Sequence, residues 1–288
     1  MPTPRVAAIH DMSGFGRCSL TVAIPVLSAM GVQCCPLPTA FLSTHTGGFQ
    51  GYTFLDMTDE MPRVAEHWAS LDLRFQAIYS GFMGSERQMS IVEAFIQTFR
   101  KEDTIVVVDP VMGDHGRCYA TYTPAMCDAM ARLAAKADVI TPNLTEAAFL
   151  LDIPYESLRD DEDGYRTCVE RLSLAGRRSV VLTGVSLEPG KVGAACFDAS
   201  AGRVEFVQTA FETKEFLGTG DVFASVLTGA LVQGRSLAEA AGEAAEFVRR
   251  CAAHTASQNL PAREGVDFEP LLWTLHQEEQ GAGSGATS

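Results

Sequence analysis

The feature that most constrains this chain is an almost unbroken alternation of short apolar runs with segments of helical periodicity. Residues 5–10 form the first apolar run. Ser19 then precedes apolar residues at Leu20, Ala23, Ile24, Leu27 and Met30, a spacing that predicts a helix capped by Ser19 and ended at Gly31. Residues 32–35 begin a second strand and 77–80 another. Ser85 and Gln88 have the spacing of a capping box ahead of Val92, Phe95, Ile96 and Phe99. Residues 104–109 contain an Ile-Val-Val-Val run that suits a strand buried on both faces. Residues 139–141 and 179–183 repeat the pattern, 191–197 and 203–208 read as a meander at a late sheet edge, and 220–233 and 236–256 as two Ala-rich helices. Such alternation predicts an α/β fold, a central, mostly parallel sheet flanked by helices on both faces. Ligands of such sheets gather at the carboxyl ends of the strands.

The chain has 288 residues, 47% of them hydrophobic, enough to bury the core of one large α/β domain. No long Pro/Gly/Ser stretch divides it, so residues 1–280 are expected to form one domain, with the linker-like residues 281–288 as a flexible tail. The formal net charge is −14, arginines are scattered, and the lysines are Lys101, Lys136, Lys191 and Lys214. A nucleic-acid binder needs a concentrated basic face, and no such face is visible. Residues 1–5 lead straight into an apolar strand without a secretory pattern, and no apolar run reaches the roughly 18 residues of a membrane span. A cytoplasmic protein that engages neither membrane nor nucleic acid is the expectation. The eight cysteines show no C-x-x-C spacing and read mainly as reduced, buried, small apolar residues. Strand alternation points Cys34 and Cys35 to opposite faces.

Chemistry concentrates in the loops after the strands. In Phe216-Leu217-Gly218-Thr219-Gly220-Asp221, two glycines precede a helix with apolar positions Val222, Phe223, Val226, Leu227, Ala230 and Leu231. Unobstructed backbone amides at the positive end of a helix form an anion hole suited to a phosphoryl group in transfer. Asp221 can accept a hydrogen bond from an alcohol there and take its proton; a tight turn with an ordinary N-terminal carboxylate is the other reading. Asp109-Pro110-Val111-Met112-Gly113-Asp114 puts two carboxylates on one strand-end loop, placed for magnesium or a phosphate-bound water network. Asp before Pro is also a common turn starter. In Thr141-Pro142-Asn143-Leu144-Thr145-Glu146, Asn143 and Glu146 have the spacing of a helix cap and its reciprocal partner, and Glu146 could also reach magnesium through water.

Asp11-Met12-Ser13-Gly14-Phe15-Gly16 and Ser43-Thr44-His45-Thr46-Gly47-Gly48 could build a pocket for a polar heterocycle. Asp11, Ser13, His45 and Thr46 would hydrogen-bond it, and Phe15 or Phe49 would stack on it. His10 and His45 could equally be structural histidines. Gly14-Phe15-Gly16 lacks the third glycine and the acidic partner of a dinucleotide fingerprint, which disfavours a nicotinamide-dependent oxidoreductase. The run from Gly184 to Gly190-Lys191 has one residue too many for a P-loop and Val192 where Ser or Thr is required, so it reads as a hairpin loop.

Together these loops resemble those of the pyridoxal kinase family within the ribokinase-like superfamily, from Val6 to about Ala256. Four motifs in the family's order carry the resemblance: Ser80-Gly81-Phe82-Met83-Gly84-Ser85, Asp109-Pro110-Val111-Met112-Gly113-Asp114, Thr141-Pro142-Asn143-Leu144-Thr145-Glu146 and Gly218-Thr219-Gly220-Asp221. The resemblance implies a ribokinase-like domain, a homodimer, and transfer of the γ-phosphoryl group of Mg-ATP to the 5′-hydroxyl of pyridoxal, pyridoxamine or pyridoxine. It implies Asp221 as catalytic base and Gly218, Thr219 and Gly220 as the anion hole. Asp109 and Glu146 would hold Mg2+; Asp114, Asn143 and Thr183 would lie by ATP; Asp11, Ser13, His45, Thr46 and Phe82 would face the vitamer. K+ is the accessory cation to consider.

Two residues depart from the family: Asp11 stands where serine is frequent and Phe82 where tyrosine is common. Asp11-x-Ser13-Gly14-x-Gly16 is more similar to the hydroxymethylpyrimidine kinases of thiamine synthesis, which usually carry cysteine in place of Asp221 and lack the Val-Met-Gly-Asp run. The alternatives are therefore a hydroxymethylpyrimidine kinase and, from a different class, a catalytically idle vitamer-binding protein. A carboxylate at Asp11 could pair with a cationic amine, which leads to the expectation of a preference for pyridoxamine.

Overall fold

The structure, a computed structural model, describes residues 2–211, 214, 216–258 and 260–276; the expected tail at 281–288 lies outside them. In chain order the first half contains β1 (Arg5–Ser13), α1 (Leu20–Ala29), β2 (Gln33–Leu42), β3 (Phe54–Asp56), α2 (Met61–Ser70), β4 (Ala77–Ser80), α3 (Glu86–Phe99) and β5 (Ile105–Val108). A small hairpin, β6 (Gly113–Asp114) and β7 (Arg117–Cys118), follows. Then come α4 (Pro124–Ala134), β8 (Val139–Ile140), α5 (Leu144–Leu150), α6 (Glu162–Leu172), β9 (Ser179–Val185), β10 (Lys191–Asp198), β11 (Arg203–Ala210), α7 (Thr219–Val232) and α8 (Leu237–Gln258). The chain continues through short 3-10 turns at Ala262–Glu264 and Glu269–Leu275.

Nine strands form one sheet in the order β11-β10-β9-β8-β5-β4-β1-β2-β3. The strands from β9 to β2 in that order run parallel, while β3 at one end and the β10–β11 meander at the other are antiparallel. The loop from β9 to β10 joins antiparallel neighbours, which makes it the expected hairpin and not a phosphate loop. After β1 the chain moves outward to β2 and then returns to β4 on the other side, so the topology reverses beside β1. Loops leaving neighbouring strands diverge there and open a crevice at their carboxyl ends.

The central strands divide their side chains between two cores because successive residues face opposite sides of a sheet. Ala77, Tyr79 and Val107 pack with α1, α7 and α8, whereas Ile78, Val106 and Val108 pack with residues of α2, α3, α4 and α6. Each buried aliphatic chain of this kind contributes about 1.5–3 kcal/mol relative to an exposed one. That rigid centre positions the polar ends of β1, β5 and β8.

Several boundaries and contacts differ from the sequence expectations. Ser19 does precede α1, but its side chain makes no cap bond and instead points to Asp11. Its backbone is at φ 51°, a region that L-residues rarely occupy. The Ser85 side chain accepts from the Gln88 amide, yet the Gln88 carboxamide turns to the Gly84 N–H, Thr39 and Thr58, so the reciprocal half of that box is missing. The first strand runs on to Ser13, which places Asp11 and Ser13 in the sheet, next to a register shift between His10 and Met12. The cysteines are all free, as expected of reduced thiols, but only Cys168, Cys196 and Cys251 are buried, and Cys118 is exposed. Cys34 and Cys35 do pack into opposite cores. Among the described residues, no helix is long and apolar enough to cross a membrane.

Candidate active site

Gly218 is the N-cap of α7, with φ 78°. A Cβ there would lie 2.0 Å from the carbonyl oxygen of Arg17, so glycine is required both by the backbone turn and by the loop pressed against it. Thr219, Gly220 and Asp221 are the first three helical residues, whose N–H groups have no intrahelical acceptor. A Cβ at Gly220 would meet nothing within 4 Å, so the space beside this turn of the helix is open. Amides converging on open space at a helix start are suited to an anion.

Part of Asp221 faces this cleft, yet the surrounding protein pushes its carboxyl up to about 7. Burial is the main cause; the backbone amide of Ser19 draws the value back and the charge of Asp11 raises it. Asp11 is itself buried and accepts hydrogen bonds from Ser19 Oγ at 2.6 Å and Ser13 Oγ at 2.9 Å. Ser19 thus lies between two carboxylates, its hydroxyl on one and its amide facing the other. Sequence reading took Ser19 for a helix cap; its left-handed backbone, invisible in the sequence, is what turns the side chain toward Asp11.

Two further carboxylates enter from the next strand ends. Asp109, after β5, is buried, with Thr141 Oγ1 donating to it at 3.0 Å. Burial raises its pKa well above the usual carboxylate range, and the charges of Glu146 and Asp221 add to the effect. Glu146 accepts from the backbone amides of Met112 at 3.1 Å and Asn143 at 2.9 Å. Its carboxyl is pushed up to about 7 by burial, against the pull of those amides. Asn143 and Glu146 form the complete capping box of α5, and Asn143 Nδ2 also donates to the Gly113 carbonyl at 2.9 Å. The capping reading of Glu146 holds, in a carboxyl that is also buried among other acidic groups.

The remaining predicted residues surround this centre unevenly. Thr183 in β9 bridges to Asn143, its N–H donating to the Pro142 carbonyl at 2.9 Å. Asp114 lies on the β6–β7 hairpin, exposed and accepting from the His115 amide. His45 is buried with both ring nitrogens engaged: the Gly47 amide donates to Nδ1 at 3.1 Å, and Nε2 lies 2.7 Å from the Arg263 carbonyl. An accepting Nδ1 assigns the proton to Nε2. The ring meets Phe49 edge to face, and Phe49 meets Phe15. Thr46 is exposed, and Phe82 is half-buried with its carbonyl accepting from Thr39 Oγ1 at 3.3 Å. Asp11, Ser13, Asp109, Glu146 and Asp221 are thus drawn together, whereas His45 is held by loop backbone.

The carboxylates suit a hard divalent cation. Among the described residues no group of three or more His, Cys, Asp or Glu side chains encloses a metal. Mg2+ usually takes one or two protein carboxylates and completes its shell with water and phosphate oxygens, so Asp109 and Glu146 fit that donor set.

Comparison with known proteins agrees with this geometry. A crystal structure from Bacteroides thetaiotaomicron, of a protein assigned as a phosphomethylpyrimidine kinase in a form with pyridoxal, superposes with a TM-score of 0.90 at 43% identity, covering 97% of this chain and 98% of that one. A pyridoxine/pyridoxal/pyridoxamine kinase of Bordetella avium is 28% identical over 93% of each protein. A hydroxymethylpyrimidine/phosphomethylpyrimidine kinase of Mycobacterium bovis is 25% identical, covering 87% of this chain and 89% of its own length. The doubly wound sheet and these relatives define a small-molecule kinase of ribokinase-like fold. The profile of the phosphomethylpyrimidine kinase family matches residues 22–264, and the chain belongs to that family.

Replacing Gly218 by alanine should force the Arg17 backbone aside. Gly218→Ala is expected to lower stability by about 1–3 kcal/mol, read as a lower urea midpoint with an unchanged slope. An unchanged midpoint would show that the Arg17 loop yields freely.

Proposed function

We propose that this protein transfers the γ-phosphoryl group of ATP to the 5′-hydroxyl of a B6 vitamer: pyridoxal, pyridoxamine or pyridoxine. The observation that carries the reading is Asp221, a carboxyl raised to about 7 at the mouth of an amide-lined helix start. A carboxyl in that range is partly ionised near neutral pH, strong enough to accept an alcohol proton and still able to release it. In this mechanism Asp221 orients the acceptor hydroxyl and takes its proton as the phosphoryl group arrives. The amides at Thr219, Gly220 and Asp221 stabilise the charge that develops on the phosphoryl oxygens. Mg2+, held through Asp109 and Glu146, would neutralise the phosphates. Asn143, Thr183 and Asp114 mark the nucleotide side of the crevice. An assembly as a homodimer in the cytoplasm belongs to the same proposal.

Pyridoxal in the 43%-identical Bacteroides structure supports a pyridine acceptor. An aspartate, not a cysteine, at position 221 supports the same choice. On the ring side, Thr46, Phe82 and Phe15 are offered as contacts, and His45, with both nitrogens engaged, as the support of the pocket wall. Both oxygens of Asp11 already accept serine hydroxyls, so we assign Asp11 to holding Ser19 and raising Asp221 rather than to pairing with the amine of pyridoxamine. The second reading, a hydroxymethylpyrimidine kinase, is favoured by the matching family and by the Asp11 loop.

Three measurements test these assignments. With Mg-ATP, kcat/KM for the three vitamers is expected to exceed that for hydroxymethylpyrimidine, with product mass confirmed. Preference for the pyrimidine would move the enzyme to thiamine synthesis, and binding without product would make it an idle binder. Asp221→Asn should lower kcat by roughly 10²-fold or more with little change in KM; near-normal turnover would remove the base role. The base works only when ionised, so kcat/KM should fall as pH drops through about 7. Asp11→Asn removes a negative charge that raises Asp221, so it should move this limb to lower pH. A limb that stays in place would mean that another group governs it.

A further inference from the structure

The eight cysteines are not equivalent. Cys168, Cys196 and Cys251 are sealed in the cores, and the adjacent Cys34 and Cys35 face opposite sides of the sheet. Cys118 and Cys127 differ from all of these, since their sulfurs lie 3.8 Å apart. Cys118 ends the β6–β7 hairpin, exposed and paired directly across from Gly113. Cys127 is in the first turns of α4, partly exposed. The connection between them is tight: the Tyr119 amide donates to the Met112 carbonyl at 3.0 Å, and the Tyr122 amide to the Tyr119 carbonyl at 2.9 Å. Thr123 then caps α4 by accepting from the Met126 amide, which holds the Cys127 turn in place.

We propose that Cys118 and Cys127 are a thiol modification site that closes to a reversible disulfide when the protein meets a peroxide. From van der Waals contact, the sulfurs need to approach only to the bonding distance of about 2 Å. Burial and the contact with Cys118 push the Cys127 thiol up to about 11, which keeps it protonated near neutral pH. Cys118 faces solvent and is the sulfur that reaches the oxidant first.

The chemistry closes in two steps. The Cys118 thiolate attacks one peroxide oxygen; an S–O bond forms, the O–O bond breaks, and the departing hydroxide takes a proton to become water. The Cys127 sulfur then attacks the resulting sulfenic sulfur; the S–S bond forms, the S–O bond breaks, and the second hydroxide leaves as water with the Cys127 proton. Two thiols are oxidised by two electrons and one peroxide is reduced to two waters. The bond would fasten α4 to the hairpin that carries Asp114 and whose Gly113 carbonyl holds Asn143. Its formation does not depend on which acceptor the kinase uses.

Both cysteines fall in one tryptic peptide, residues 118–132, between Arg117 and Arg132. The test treats the intact protein with hydrogen peroxide, blocks remaining thiols with N-ethylmaleimide and measures this peptide. The expected result is a peptide that has lost two hydrogens, resists alkylation, and regains two alkylation sites after dithiothreitol. Methionine oxidation adds oxygen and is read separately. In Cys127→Ser, Cys118 should stop at a sulfenic acid that dimedone traps; in Cys118→Ser, Cys127 should stay reduced under the same exposure. A wild-type peptide still fully alkylated at peroxide doses that oxidise other cysteines would overturn the proposal. So would dimedone labelling of Cys127 in Cys118→Ser as fast as that of Cys118 in Cys127→Ser.

Discussion

Negative charge gathered at the carboxyl ends of the central strands is the constraint on which the rest of this structure depends. Asp109 and Glu146 are buried; the charges of Glu146 and Asp221 raise Asp109's cost of ionisation, that of Asp114 raises Glu146's, and that of Asp11 raises Asp221's. Isolated carboxylates would not remain in such a place, because burying charge without compensation costs several kcal/mol. Here each has specific donors: Thr141 for Asp109, the Met112 and Asn143 amides for Glu146, the Ser13 and Ser19 hydroxyls for Asp11, and the Ser19 amide for Asp221. Among the described residues, no Lys or Arg is a hydrogen-bonding partner of these four groups. Satisfying carboxylates by neutral donors leaves their charge without a fixed counter-ion, which fits the proposed role of a cation arriving with phosphate.

The donors stay in position because the loops are tied to one another. The segment after α8 engages both glycine loops: the Arg17 amide donates to the Glu264 carbonyl at 3.1 Å, and the Val266 amide to the Leu217 carbonyl at 3.0 Å. Arg17 adds charge-assisted bonds to Asp267 and Glu269 at 2.8–2.9 Å, and His45 reaches the Arg263 carbonyl. Paired with Gly218, whose missing side chain lets the Arg17 carbonyl sit against it, this strap sets the distance between the β1 loop and the start of α7. Preorganised donors need no rearrangement when charge develops, which suits the anion site proposed on these backbone amides.

Much of the fold was legible in the residues. The Val106-Val107-Val108 run suits a doubly buried strand, which it is, and the glycines before Asp221 fit either a tight turn or a helix start with open amides, of which α7 shows the helix start. The Asn143–Glu146 spacing gave the capping box outright. Ser19, by contrast, follows the cap pattern yet does something else, because its strained backbone aims the hydroxyl at a carboxylate eight residues earlier. The residues leave His45 as either a ring-binding group or a structural histidine, and the tertiary fold gives both its nitrogens to backbone partners, one of them in a segment more than two hundred residues away. The β6–β7 hairpin, two residues on each side, is too short for periodicity to reveal.

By itself, then, the sequence determined the α/β alternation, the parallel sheet and the glycine and carboxylate loops, because these follow from local periodicity and from residues with few conformational alternatives. Tertiary structure decided which carboxylates feel each other, where Ser19 points, what occupies His45, and that two cysteines nine positions apart touch. Those outcomes depend on distances across the crevice and on water excluded from it. Neither quantity is encoded in spacing along the chain; both arise only when the strand ends are brought side by side.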